Sequence, residues 1–247
     1  MTDRTTDAAV ASSNRILGLF AKSWDPGTVK TRLAKTLGDQ RAADIYLELL
    51  TINLLRFSAS GKRRVIGYSP SNEATRQRFE SFLQTIDAGP WELKPQSDGG
   101  LGERMSCFFD QQFESHGEDS RVILIGSDAL RLLPQQMERA FEALQTHDVV
   151  FGPSTDGGYY LVGMSRRCLE IFQNVTWSTE TVLAQSLAHC ETAGYSVAQL
   201  EPLTDIDHEA DLLQEVEYFE NLEPASLDAD TQNFLDKVRS ILGKTIS

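Results

Sequence analysis

The chain is 247 residues long, 40% hydrophobic and 24% charged, with 36 acidic against 23 basic side chains and a net charge of −13. That composition belongs to an ordinary globular protein and excludes disordered, collagen-like and fibrous classes. An acidic surface repels the phosphates of long nucleic acids, so no nucleic-acid partner is expected and anything phosphorylated must be held locally.

The longest apolar runs, such as Val122 to Ile125 and Val149 to Phe151, fall far short of the ~18 residues that span a bilayer, so no membrane insertion is expected. Residues 1–14 are polar and mixed in charge, without the basic-then-apolar order of a signal peptide, and read as a flexible tail. Cys107, Cys168 and Cys190 are widely spaced and form no CxxC pair. They imply neither a disulfide framework nor a zinc knuckle, and a reducing cytoplasm fits that usage.

In chain order, short apolar runs bounded by turn residues predict strands at Arg15 to Ala21, Arg63 to Tyr68, Trp91 to Lys94, Arg121 to Gly126, Asp148 to Gly152, Tyr159 to Gly163 and Ser196 to Leu200. Helical periodicity falls between them. Asp39 is placed to cap a helix through Leu55, and Pro134 to start one through Thr146, while Leu101 to Ser115 and Glu180 to Ala193 give two more. The wholly apolar Val122 to Ile125 run predicts a strand covered on both faces, as in a mostly parallel sheet. Only a short Gly/Pro/Asp-rich segment separates Phe151 from Tyr159, too little for a helical crossover, so the strand at Tyr159 should run antiparallel. A three-layer α/β/α domain with a mixed, mostly parallel sheet follows, spanning 15–220. Leu222 to Ser226 breaks the chain, and residues 221–247 supply a final amphipathic helix marked by Phe234, Leu235, Val238, Ile241 and Leu242, packed on the same domain.

Five segments carry chemistry. Directly after the first strand, Ala21 to Leu37 holds Lys22, Lys30, Arg32 and Lys35 against the single acid Asp25, a positive island in an acidic chain. A loop leaving the C-terminal end of a strand faces the ligand crevice of an α/β sheet, where Arg and Lys suit phosphate oxygens and Pro26-Gly27 allows close backbone approach. Neither the Walker GxxxxGK[ST] loop nor the dinucleotide GxGxxG is present, and a solvated surface loop is the plainer alternative. The turn Gln96-Ser-Asp-Gly-Gly-Leu-Gly102 offers an amide for a base edge and glycines for a flat ligand, or is simply an exposed turn. Asp128, in Gly126-Ser-Asp128 at the end of the most buried strand, suits a divalent metal or a helix cap. Asp156-Gly-Gly158 is a turn whose following tyrosines, Tyr159 and Tyr160, should face opposite sides of the sheet, one in the core and one as a sugar or acceptor platform. Asp205 and Asp207 alternate before a helix starting near His208, as metal ligands or, for Asp207, as its cap; His208 itself reads as a surface residue.

The segments FAKSWDPGTVKTRL (20–33), LGERM (101–105), GSD (126–128), PSTDGGYYLVG (153–163), WST (177–179) and DID (205–207) occur in order over Ile16 to Leu212. Together they resemble the selenium-domain-associated transferase family, which includes glycosyltransferases of arsenosugar biosynthesis and adopts the GT-A-like nucleotide-diphospho-sugar transferase fold. Ser23-Trp-Asp25 replaces the family's proline-containing stretch, and Ala129-Leu130 replaces its Cys-Pro pair.

The resemblance implies that Phe20, Ala21, Lys22, Gly27, Lys30 and Arg32 bind nucleotide phosphates, and that Gln96, Gly100 and Gly102 meet the base. It implies that Asp128 and Asp207, with Asp205 as a possible third, hold Mg²⁺ or Mn²⁺. Asp156, Gly157, Gly158, Tyr159 and Trp177 would contact sugar or acceptor, with Asp156, Lys30 and Arg32 as the catalytic set. Glycosyl transfer from a nucleoside-diphosphate sugar to a small acceptor is the expected reaction. Nucleotidyl transfer from a nucleoside triphosphate to a sugar phosphate, and a noncatalytic nucleotide-binding regulator, are the alternatives.

Overall fold

The computed structural model describes residues 14–223 and 227–243. In chain order its elements are β1 (Arg15–Lys22), α1 (Thr31–Leu37), α2 (Asp39–Arg56), β2 (Arg63–Ser69), α3 (Glu73–Leu83), β3 (Glu92–Pro95), α4 (Leu101–His116), β4 (Arg121–Ile125), α5 (Pro134–Ala143), β5 (Val149–Pro153), β6 (Tyr159–Met164), α6 (Val182–Ala193), β7 (Val197–Gln199), α7 (Glu209–Glu220) and α8 (Ala229–Leu242), with a 3₁₀ turn at Leu169–Phe172. The seven strands lie in the order β3-β2-β1-β4-β6-β5-β7. β1 is parallel to β2 and β4, and β6 is antiparallel to both β4 and β5. The reversal expected from the short 151–159 connection is therefore present, and the sheet is mixed and mostly parallel.

Strand periodicity sorts the core. Along β1, Leu17, Leu19 and Ala21 point to one face, and Ile16 to the other. The first face is covered by α2, α3 and α5 through Leu50, Leu54, Phe79, Met137 and Phe141. The second is covered by α4, the 3₁₀ turn and α6 through Met105, Phe108, Phe109, Phe172 and Cys190. A further apolar cluster joins α1, α2, α7 and α8 through Leu33, Ile45, Leu49, Leu212, Val216, Phe234 and Val238. The last helix thus packs against α2.

Five local expectations are corrected. The basic segment after β1 is not all loop: Leu33 and Leu37, four residues apart, share the face that joins this outer cluster, and α1 forms around them. Gly38, not Asp39, is the cap of α2, and Asp39 stands in its first turn, where a carboxylate suits the helix dipole. α5 starts at Pro134 as expected but ends at Ala143, and β7, at the sheet edge, is only three residues long. Asp207 does not cap α7; the Asp211 carboxylate accepts from the Asp207 and His208 N–H groups at 3.1 and 2.7 Å. The expected N-terminal tail, apart from Asn14, and part of the 222–226 break lie outside the described residues. Among the described residues no helix is long and apolar enough to cross a membrane.

Candidate functional site

β1 and β4 are adjacent and parallel, so the segments leaving their C-terminal ends meet above the sheet. The first is pinned from two sides. Tyr46, on the buried face of α2, accepts a hydrogen bond from the Lys22 N–H at 2.8 Å. Arg78 of α3 lies 4.4 Å over the Trp24 ring, donates to Ser23 Oγ at 3.1 Å and pairs with Asp25. The Ser23 hydroxyl and the Arg78 guanidinium together hold the Asp25 carboxyl below its usual range. Trp24 then packs on Phe79 and Phe82. The unusual Ser-Trp-Asp stretch is therefore an anchor, and Thr28 N–H to Asp25 O (3.0 Å) closes the Pro26-Gly27 turn.

Beyond that turn Lys30 takes the left-handed conformation (φ 47°, ψ 42°) and aims its ammonium inward. Its Nζ lies 2.9 Å from Asp128 Oδ1, 3.6 Å from Asp207 Oδ1 and 2.5 Å from the Ile206 carbonyl oxygen, with 3% of the side chain exposed. Arg32 pairs with Asp207 Oδ2 at 2.9 Å and is half exposed. The segment from β4 is held by Asn53, which donates to Ser127 O (3.1 Å) and Leu49 O (2.8 Å), and by Ile206 N–H to Asp128 O (3.3 Å). Ser127 Oγ donates to Asp128 Oδ1 at 3.1 Å. Burial and the Asp128 charge push the Tyr46 hydroxyl up to about 12. Tyr46→Phe removes the acceptor for the Lys22 N–H and is expected to cost about 1–3 kcal/mol of stability in urea unfolding; an unchanged midpoint would show that water replaces it.

Asp128 and Asp207, far apart in sequence, thus share one cation. Asp205 turns aside and accepts from Ser154 Oγ at 2.8 Å. Burial, then the Asp128 charge, push its carboxyl up to about 7 against the opposing Ser154 bond and Lys30 charge. Among the described residues no group of three or more His, Cys, Asp or Glu side chains is placed to hold a metal unaided. Two carboxylates and a carbonyl converging on an ammonium are nevertheless an all-oxygen cation seat. That donor set fits Mg²⁺ or Mn²⁺ when water and phosphate complete the shell.

The remaining candidates form a second group around α4. Phe20 stands edge-on to Phe108, while Ala21 is buried in the opposite face of the sheet. Gln96 is buried, and both ends of its amide are engaged: Nε2 donates to Gly67 O (2.7 Å) and Oε1 accepts from Arg104 (3.2 Å). The Gly100 N–H donates to Glu103 Oε2 at 2.7 Å. At Gly102 a side chain would meet Trp177 Nε1 at 2.7 Å and the Phe172 carbonyl at 2.8 Å, so glycine there lets Trp177 close on α4. Trp177 in turn stands edge-on to Tyr159, 6.4 Å between centroids. Tyr159 and Tyr160 do face opposite sides, but both are largely buried. Asp156 is exposed and accepts from Gly158 N–H at 2.9 Å, fixing its own turn. Tyr46, Asn53, Arg78 and Ser154 are the site neighbours that sequence reading missed. Tyr46 and Asn53 are seven residues apart, polar positions on one apolar helix face, and that spacing was the available signal.

No curated protein matches the chain. Residues 56–179 match the model of a family described as "uncharacterized protein conserved in bacteria" (DUF2064). Among solved structures, a protein from Desulfovibrio desulfuricans G20 provisionally named a nucleotide-diphospho-sugar transferase superposes with a TM-score of 0.80. It is 27% identical over 93% of this chain and 98% of that one. The inositol-1-phosphate CTP transferase of T. maritima gives 0.56 at 14% identity, covering 92% and 97%. The 4-diphosphocytidyl-2C-methyl-D-erythritol synthase of Anaerococcus prevotii DSM 20548 gives 0.57 at 9% identity, covering 87% and 99%. The last two likenesses concern the fold, which is that of nucleotide-diphospho-sugar transferases and nucleotidyltransferases.

Proposed function

The chain belongs to the DUF2064 family of bacterial proteins, and from that premise we propose that it is a glycosyltransferase moving a sugar from a nucleoside-diphosphate sugar to a small acceptor, of the selenium-domain-associated kind its motifs resemble. One observation carries the reading: Asp128, Asp207 and the Ile206 carbonyl converge on a single buried cation, with Arg32 half exposed beside them, at the crevice where β1 and β4 end. The likeness to the Desulfovibrio protein supports the donor class.

In this reading the diphosphate lies along the segment from Lys22 to Arg32. Arg32 offers a planar fork and Lys22 an exposed point charge to oxygens that gain negative charge as the bond to the sugar breaks. A divalent ion held by Asp128 and Asp207 would supply Lewis-acid stabilisation of that departing diphosphate. Asp205, aside from the pair, would adjust the local charge and need not ligate. Phe20 and the edge of the Gln96 turn would bound the base, with Gln96 acting through the backbone it fixes. Tyr159 and Trp177 would wall the sugar side. Asp156, exposed on its turn, would orient the acceptor hydroxyl and take its proton.

A thermal-shift panel of nucleotide sugars, each with and without Mg²⁺ or Mn²⁺, tests the donor class, since a ligand that binds only the native state raises its stability by mass action. A metal-dependent shift with one base series is expected; no shift with any nucleotide sugar would contradict the reading. Arg32→Ala is expected to weaken the responding nucleoside diphosphate by roughly 10-fold or more, at about 1.5–3 kcal/mol per charge-assisted bond, and the free nucleoside little. Equal losses for both in calorimetry would show a disturbed fold.

A further inference from the structure

Lys30 presents a contradiction in the site as it stands. The motif that contains it resembles a phosphate-binding one, yet its side chain is 3% exposed and its ammonium is already held by protein oxygens. An ammonium has three donors and no acceptor. Ile206 O accepts a hydrogen bond from it at 2.5 Å, and Asp128 Oδ1 and Asp207 Oδ1, at 2.9 and 3.6 Å, pair with its charge. With its side chain so buried the ammonium is not presented to a phosphate, and a divalent ion entering between the two carboxylates meets the repulsion of a positive charge already there. The arrangement is held with backbone strain, because Lys30 occupies the left-handed region at φ 47°, which a residue with a side chain seldom adopts. Strain of that kind is kept where a side chain must point one way.

Charge makes the occupancy legible. Among the directly paired groups, Asp128 and Asp207 are balanced by Lys30 and Arg32. A bare divalent ion would have to part the ammonium from both carboxylates without bringing it a new anion. A nucleoside diphosphate arriving with its ion offers both halves of an exchange: the ion takes the carboxylates, and the freed ammonium takes the phosphate. Lysine's four-carbon stem permits that swing without moving α1.

We propose that Lys30 is a resident cation that keeps the Asp128–Asp207 pair closed to free divalent metal and passes to the phosphates only when metal and nucleotide arrive together. The inference rests on the reading of that pair as a metal seat, and it adds that metal uptake is contingent on the nucleotide.

The test is Mn²⁺ binding, read from the paramagnetic signal of the free ion, for wild type, Lys30→Met and Lys30→Gly. Each is titrated with Mn²⁺ alone and with Mn²⁺ plus each of UDP, GDP, CDP, ADP and dTDP. Methionine keeps the length of the stem and removes the charge; glycine also relieves the left-handed backbone and serves if the methionine variant does not fold, as judged by circular dichroism. Expected is tight uptake by wild type only with a diphosphate, and uptake of one Mn²⁺ without nucleotide by either variant with a Kd at least tenfold lower than wild type. Asp128→Asn added to the variant should abolish that uptake. Wild type binding Mn²⁺ alone as tightly as the variants overturns the resident-cation proposal and leaves the metal seat standing. Folded variants that take up no Mn²⁺ alone, while wild type does so with a diphosphate, also overturn it. No uptake by wild type with any of the five diphosphates, and none by the variants, overturns the metal seat itself and the proposal with it; uptake by the variants alone overturns the passage of Lys30 to the phosphates.

Discussion

Asp128→Asn is expected to lower donor turnover by roughly 10²–10³-fold, the usual loss when one preorganised electrostatic group is removed from the place where charge develops. The substitution keeps the size of the side chain, and the Asn carbonyl can still accept from Ser127, while the Asp128 main-chain oxygen keeps its bond from Ile206 N–H. What disappears is half of the negative charge facing Lys30, whose remaining carboxylate contact is the longer one, 3.6 Å to Asp207. Loss of one charge-assisted bond at a buried ammonium should cost about 1.5–3 kcal/mol of stability. Steady-state kinetics with the donor found by thermal shift, alongside urea unfolding, separates the two effects. A folded Asp128→Asn protein with undiminished kcat would remove Asp128 from the chemistry.

Gly157→Ala should be the most damaging single methyl group in the 156–158 turn. Gly157 has φ +89°, and a Cβ there would sit 2.0 Å from the Glu180 carbonyl oxygen and 2.6 Å from its carbon, backbone atoms that cannot step aside alone. Left-handed strain and overpacking cost about 1–3 kcal/mol each, so a loss of roughly 2–6 kcal/mol is expected. Gly158→Ala is the control: its nearest neighbour would be the Asp156 carboxylate at 3.2 Å, at the end of an exposed side chain, and φ there is not left-handed. Chemical denaturation of both variants should separate them by at least 1.5 kcal/mol. Equal midpoints would mean that the 177–182 segment yields, and that the turn is not fixed against Glu180.

The fold was legible because its signals are local. Val122 to Ile125 reads as a doubly covered strand from its unbroken apolarity, and it occupies the middle of the sheet. The short link before Tyr159 dictates a reversed strand without any tertiary information. The site was legible only as a set of segments. Lys30, Asp128 and Asp207 were each named from their neighbours in sequence, but that they meet at one ammonium is a property of topology, set by the parallel register of β1 and β4 and by the Ile206–Asp128 main-chain bond. Partner choice was not legible at all. Gln96 was singled out for a free amide, and tertiary packing engages both its ends with Gly67 and Arg104. Gly102, which the resemblance places at the base, makes room for Trp177, and a glycine on a helix does not announce which neighbour it makes room for. α1 was hidden by its charge: four basic residues between Ala21 and Leu37 read as loop, while only Leu33, Ala34 and Leu37 carry the helical face.

Product analysis by ³¹P NMR tests the central claim most directly, that this crevice cleaves a nucleoside-diphosphate sugar at the bond between sugar and diphosphate. With the responding donor and Mg²⁺ or Mn²⁺, resonances of a free nucleoside diphosphate should grow slowly even without acceptor, faster when a suitable acceptor is added, and hardly at all with Asp128→Asn. Pyrophosphate formed from a nucleoside triphosphate and a sugar phosphate, at a rate that depends on Asp128, with no diphosphate released from any nucleotide sugar, would contradict it and assign the site to nucleotidyl transfer.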